Sequence, residues 1–122
     1  VESHNVSAGL YGNPVPDEDV SKFGIIEKDQ DDHFVRIVEK PSREDAPSNL
    51  NNSSFYVFDK TIFELARTLP ANPARGEFEV TDAINAYVVD GGKIVVGTVS
   101  GDYMECGSPE GWLQANNAIA SN

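Results

Sequence analysis

The fold is indicated most clearly by residues 23–41, which read FGIIEKDQDDHFVRIVEKP. Two runs rich in β-branched and aromatic residues flank a polar centre, a pattern that predicts two strands joined by a turn. The predicted elements are a strand at Phe23–Lys28, a turn at Gln30–His33 and a strand at Phe34–Glu39. Because proline has no amide hydrogen to give to a sheet, Pro41 should end the second strand and leave Glu39 and Lys40 at its rim.

Strands alternate with helices through most of the chain. The expected elements are a strand within Val6–Tyr11, a loop at Ser42–Asn49, a strand at Phe55–Phe58, a helix over Asp59–Leu69 that Pro70 ends, a helix capped by Thr81 and ended by Gly91 and Gly92, a strand at Lys93–Val99, and a helix from Ser108-Pro109-Glu110 toward Ala120. Apolar spacing, prolines and glycines support these helices. The alternation predicts an α/β fold with a mixed sheet, in which the hairpin supplies antiparallel pairing.

Chain length and net charge limit the classes of protein to which this sequence can belong. The chain has 122 residues, enough for one domain. Nine basic against twenty acidic side chains give a net charge of -11, which argues against general binding to nucleic acid or an anionic membrane. The sequence contains no apolar run of the roughly 20 residues that a membrane-spanning helix needs.

The cysteine and methionine content bears on the cellular compartment and on whether the chain is part of a longer protein. Cys106 is the only cysteine, so a disulfide within the chain and a multi-cysteine zinc site are both excluded. A reducing compartment fits, and we expect the cytoplasm. The only methionine is Met104 and the sequence opens with Val1, so we expect a fragment or processed piece of a longer protein.

Common catalytic motifs are missing from this sequence. The glycines form neither GxGxxG nor GxxxxGK[ST], so the chain does not cradle nucleotide phosphates alone. There is no GxSxG elbow for nucleophilic hydrolysis. His4 and His33 lie in polar segments without the spacing of a metal motif, and we expect no site at either.

Three polar clusters lie where predicted elements end: Glu39-Lys40-Pro41, Arg75–Asp82 and Asp102–Pro109. A lysine at a strand end is a mobile charge suited to phosphate, and carboxylates in a turn can hold Mg²⁺. Each cluster also has a plainer interpretation, as a solvated strand end, a helix start and a surface turn. Taken singly, they do not decide the function.

The order and surroundings of these clusters are more specific. The chain resembles the C-terminal half of the sugar-1-phosphate nucleotidyltransferases, most closely the bacterial-type UTP:glucose-1-phosphate uridylyltransferases. The segments that carry the resemblance, which spans roughly Pro14 to Ala120, are Val15–Gly24, Val38–Pro41, Ala46–Leu50, Phe55–Phe58, Gly76–Ile84 and Glu105–Leu113. It implies that residues 1–122 are a single partial domain, the sugar-phosphate-binding half of a Rossmann-like three-layer catalytic domain.

The resemblance also implies site residues. Gly24 and Glu39 would help to hold the sugar, Lys40 would contact the sugar 1-phosphate as the catalytic lysine, and Glu77 would bind sugar hydroxyls. Glu105 would help to hold the Mg²⁺ that bridges the phosphates. The implied reaction is attack of glucose 1-phosphate on the α-phosphorus of UTP, which releases pyrophosphate and forms UDP-glucose.

The sequence departs from the family pattern at several points. Glu105 stands where the family has aspartate, Ser54 where it has glycine, and Phe23 where it has tyrosine. The N-terminal GGxGTR-type loop that grips the nucleoside triphosphate is absent, so we expect this chain to need the missing N-terminal half and to be inactive alone.

Other functions remain open at this stage. A thymidylyltransferase that makes dTDP-glucose is an alternative, as is a non-catalytic binding or regulatory module of the same fold, which the changes at Glu105 and Ser54 motivate. An unrelated acidic binding domain would require the motif series to be coincidence. Because a partial sheet exposes strand edges and core, we also expect a homo-oligomer.

Overall fold

The computed structural model describes residues 6–74 and 76–122. Its elements are strands β1 (Ala8–Pro14), β2 (Gly24–Lys28), β3 (Phe34–Glu39), β4 (Leu50–Val57) and β5 (Ile94–Thr98), helices α1 (Thr61–Thr68), α2 (Val80–Val89) and α3 (Pro109–Ala120), and a short 3-10 helix at Asp17–Lys22. The α/β class is confirmed. None of the helices in these ranges is long and apolar enough to cross a membrane.

The strands form one mixed sheet in the order β3-β2-β4-β1-β5. β1 and β5 run parallel, and the other neighbouring strands are antiparallel. The predicted hairpin is confirmed as β2 and β3, with Gly24 opposite Glu39. This register places Gly24 and Glu39, two of the predicted site residues, side by side.

The tip of the hairpin bends toward the far edge of the sheet. His33 forms an antiparallel bridge with Val95 of β5, and the Val96 amide donates to the Asp32 carbonyl over 2.7 Å. Part of the outer edge of β5 is therefore covered by the chain itself.

The main core lies between one face of the sheet and helices α1 and α2. Its fully buried members include Leu10, Ile26 and Ile84. A smaller apolar cluster around Val15, Val20 and Ile25 involves the 3-10 helix. Apolar side chains also remain exposed on the sheet, among them Phe55, which is 59% exposed.

Two local expectations are corrected. β4 begins at Leu50, well before the predicted Phe55, because pairing with β1 draws the polar residues 51–54 into the sheet. Thr81 does not cap α2: the helix begins at Val80, Glu79 occupies the cap position, and no side-chain hydrogen bond caps it. At α3 the predicted cap is confirmed, since Ser108 Oγ accepts the Gly111 amide over 3.0 Å and Pro109 follows it.

Candidate functional site

Gly24, Glu39 and Lys40 meet where β2 begins and β3 ends, and we call these three residues the β2–β3 corner. Gly24 pairs directly with Glu39. A Cβ atom added to Gly24 would lie 2.9 Å from Glu39 Oε1 and 3.1 Å from Ile37 Cγ2. Glycine at this position therefore leaves room for the Glu39 carboxylate to lie over the backbone of β2.

Lys40 is held in an unusual backbone conformation. Its φ is 45°, in the left-handed region that non-glycine residues rarely adopt. The Lys40 amide donates to the Phe23 carbonyl over 2.9 Å, and buried Pro41 follows, while the Lys40 side chain is exposed. The flanking contacts thus hold the backbone in place while leaving the ammonium group available to an anion.

A bulge in β4 lies one strand away from the corner. The pairing of β1 with β4 steps from Tyr11–Phe55 to Gly12–Asn52, so residues 53 and 54 are extra. Ser54 there has a φ of 59°. This left-handed conformation gives a physical reason why glycine would suit this position, where Ser54 departs from the family pattern.

Glu77 lies on a separate segment that leads into α2. Its carbonyl accepts the Asn72 amide over 2.6 Å, and its side chain is exposed. Within residues 6–74 and 76–122, no hydrogen bond or ion pair joins Glu77 to the β2–β3 corner. Arg75, in the same predicted cluster, lies outside the described residues.

Glu105 lies in the exposed loop before α3. Its Oε1 accepts the Gly107 amide over 2.6 Å, and it lines a shallow pocket of about 290 Å³ together with Ser108 and Glu110. Mg²⁺ is commonly held by one or two carboxylates, with waters and substrate phosphates completing its shell. The donor set fits a single ligand to such an ion, but not a complete metal site.

A second acidic group lies at the hairpin tip and was missed by sequence reasoning. Carboxylate oxygens of Asp29 and Asp31 and an imidazole nitrogen of His33 lie within 4.8 Å of one another. Asp29 Oδ1 already accepts the backbone amides of Asp31 and His33, each over 2.9 Å. The amide of His33, more than any other contact, lowers the pKa of the Asp29 carboxyl, so Asp29 stabilises the turn.

The whole chain matches a protein-family model, that of the nucleotidyl transferases, over residues 1–122. The chain belongs to this family. The β2–β3 corner, the segment before α2 and the loop before α3 are therefore parts of a nucleotidyltransferase fold, and the resemblance drawn from the sequence is confirmed.

Individual relatives agree with this assignment. The chain is 34% identical to a low-salt glycan biosynthesis nucleotidyltransferase of Haloferax volcanii, which matches 97% of this chain and 32% of the relative. It is 36% identical to a UTP–glucose-1-phosphate uridylyltransferase of Pseudomonas aeruginosa, over 88% of this chain and 39% of the relative. The chain thus spans about a third of the length of these relatives.

A solved structure supports the fold. The UTP-bound UGPase of Acinetobacter baumannii superposes with a TM-score of 0.78 at 31% identity, covering 93% of this chain and 39% of that one. The mixed sheet with its helices therefore matches a nucleotidyltransferase of known structure.

Proposed function

We propose that this chain is the sugar-phosphate-binding half of a nucleotidyltransferase that makes UDP-glucose and pyrophosphate from UTP and glucose 1-phosphate. The observation that carries the proposal is the β2–β3 corner. There an exposed lysine with a left-handed backbone adjoins a carboxylate that lies over a glycine. Backbone strain of this kind is found preferentially at functional sites.

Each side chain of the corner has a chemical role in this proposal. The Glu39 carboxylate accepts hydrogen bonds from sugar hydroxyls, and the Lys40 ammonium pairs with the phosphate of glucose 1-phosphate. Gly24 leaves space beside the Glu39 carboxylate, and Glu77 accepts hydrogen bonds from further hydroxyls. An oxygen of the sugar phosphate attacks the α-phosphorus of UTP and pyrophosphate leaves, while Lys40 offsets the negative charge of the reacting phosphates.

Glu105 is proposed as one ligand of Mg²⁺. The ion, when bound, would neutralise phosphate charge. An aspartate of the other half of the domain would share it. The cytoplasm is the proposed location, since it is reducing and Cys106 has no partner for a disulfide within the chain.

We further propose that this chain alone does not turn over substrate. The two relatives are roughly two to three times as long, and the sequence lacks a glycine-rich loop of either common phosphate-binding type. Purified chain should release no pyrophosphate from UTP and glucose 1-phosphate. Measurable release would overturn this part of the proposal.

The binding step can be tested separately. In a ligand-observed NMR titration, glucose 1-phosphate should bind the native chain, and Lys40→Ala should weaken the binding. Lys93→Ala is the matched control, because Lys93 is also exposed and adjoins a strand end. Equal weakening in both variants, or no binding by the native chain, would count against a preformed site.

A thymidylyltransferase remains the second candidate within this reaction class, because relatives of similar identity have differently named functions. Joining the chain to the missing half and comparing UTP with dTTP in a turnover assay separates the two. Absence of turnover with both nucleotides would favour a non-catalytic module. The departures from the family pattern at Glu105 and Ser54 are the reason for considering one.

A further inference from the structure

An apolar groove lies between α1 and α2, and no residue of the β2–β3 corner lines it. We call it the α1–α2 groove. Its first cavity, of about 300 Å³, has buried Ile62 and Ala83 at its base. Phe63 and Phe78, which also line it, are 66% and 77% exposed. Exposed aromatic side chains around a cavity of this size are typical of a binding site.

The groove continues along the chain that joins the two helices. A second cavity, of about 320 Å³, shares Leu69, Pro70 and Asp82 with the first and extends to Asn72 and Asn85. Half-buried Asp82 therefore lies where the two cavities meet. Elongated apolar grooves accept amphipathic helices, whose apolar side chains recur at i, i+3, i+4 and i+7. Two adjoining cavities can each take one such side chain.

The charge of the groove indicates what kind of helix it accepts. Glu79 and Asp82 line it, and none of the described lining residues is basic. Within residues 6–74 and 76–122, no basic side chain forms an ion pair with Asp82. The chain as a whole carries a net charge of -11. Charge complementarity therefore favours a partner with Lys or Arg and disfavours a second copy of this acidic chain.

We propose that the α1–α2 groove binds a basic amphipathic helix of a partner protein. Apolar side chains of that helix enter the two cavities and contact Phe63, and a Lys or Arg between them pairs with Asp82. None of the residues proposed to bind substrate lines the groove. The partner site and the sugar-phosphate site can therefore be tested, and can fail, independently.

The test uses the full chain and a fluorescent helical peptide of leucine and lysine, with the leucines on one face. In fluorescence anisotropy, this peptide should bind about ten-fold more tightly than the same composition in scrambled order, or than its analogue with glutamate in place of lysine. Phe63→Ser should weaken the binding about ten-fold, because an apolar anchor is lost. Asp82→Asn should weaken it about three-fold at low salt and less at high salt.

Two matched variants separate the groove from the rest of the acidic surface. Ile119→Ser removes an exposed apolar side chain from α3, and Glu64→Gln removes an exposed carboxylate of α1 that does not line the groove. Both should leave the peptide affinity within about two-fold of the native value. The Tm of Phe63→Ser should stay near that of the native chain, because the Phe63 side chain is mostly exposed.

Several results would overturn the proposal. Equal weakening by Phe63→Ser and Ile119→Ser would mean that the peptide adheres to the surface at large. Equal affinity for the lysine and glutamate peptides would remove the role of charge. Self-association in sedimentation that Phe63→Ser abolishes would place a second copy in the groove. If the chain joined to the missing half of its domain no longer binds the peptide, that half covers the groove.

Discussion

Replacement of Lys40 by glycine should stabilise the fold while weakening the site. Lys40 has a φ of 45°, and a left-handed conformation costs a residue with a Cβ atom about 1–2 kcal/mol. Glycine avoids that cost but loses about 0.5–1 kcal/mol through its greater freedom in the unfolded chain. The net expectation is that Lys40→Gly is more stable than Lys40→Ala by about 1 kcal/mol, or about 4 °C in Tm.

The assay is urea denaturation of the native chain and both variants, followed by titration with glucose 1-phosphate. Both variants lack the ammonium group, so both should bind the sugar phosphate more weakly than the native chain. Lys40→Gly should nevertheless exceed the native chain in its free energy of unfolding. If stability improves while binding weakens, the strained backbone conformation of Lys40 is retained for function and not for folding.

Lys93 supplies the matched control for the backbone effect. It is an exposed lysine beside β5 and is not among the non-glycine residues with positive φ. There, glycine should be less stable than alanine by several tenths of a kcal/mol, because only the unfolded-state effect of about 0.5–1 kcal/mol remains. If glycine is the less stable substitution at residue 40 as well, the Lys40 backbone is not strained and the reasoning is refuted.

Four further predictions follow from the same contacts. Ser54→Gly should raise the free energy of unfolding by about 0.5–1 kcal/mol, since Ser54 also has a positive φ, and an unchanged urea midpoint would contradict it. Gly24→Ala should leave Tm nearly unchanged but weaken glucose 1-phosphate binding about ten-fold, because the new Cβ atom displaces the flexible Glu39 carboxylate; undiminished binding in the titration would refute this. Burial, together with the nearby Asp59 carboxylate, raises the pKa of Tyr87 above its ordinary 10.0. The neutral phenol therefore contributes stability that is fully present below pH 10 and is lost as the pH rises through the raised pKa. In alkaline denaturation curves, Tyr87→Phe should reduce this pH-dependent loss of folding free energy. Exposed apolar side chains on the sheet and on α3 should drive self-association, and a monomer mass independent of concentration in sedimentation would contradict it.

The hairpin could be predicted from the sequence because its signals are local. Two β-branched runs around a polar turn fix both strands, and their register then brings Gly24 and Glu39 together. The start of β4 could not be predicted in this way. Asn51, Asn52 and the serines that follow have low strand propensity, and only the neighbouring strands β1 and β2 recruit them into the sheet.

For the candidate site too, the sequence predicts what depends on local patterns and misses what depends on distant contacts. Lys40 is identified by its place before a proline, but the left-handed backbone that holds it has no sequence signal apart from glycine, which is absent there. The relation of Glu77 and Glu105 to the corner depends on contacts between distant segments, and these do not follow from local patterns.

Positive φ at non-glycine residues is rare in the described chain, and one of the cases is Lys40 of the β2–β3 corner. Among residues 6–74 and 76–122, the non-glycine residues with positive φ are Asp32, Lys40 and Ser54. Asp32 has a structural reason, because its carbonyl receives the Val96 amide and ties the hairpin tip to β5. Lys40 and Ser54 are both exposed, Lys40 after the end of β3 and Ser54 in the bulge of β4. If glycine stabilises both positions, the strain is not needed for folding. Its retention at Lys40 then agrees with the ligand-binding role proposed for the β2–β3 corner.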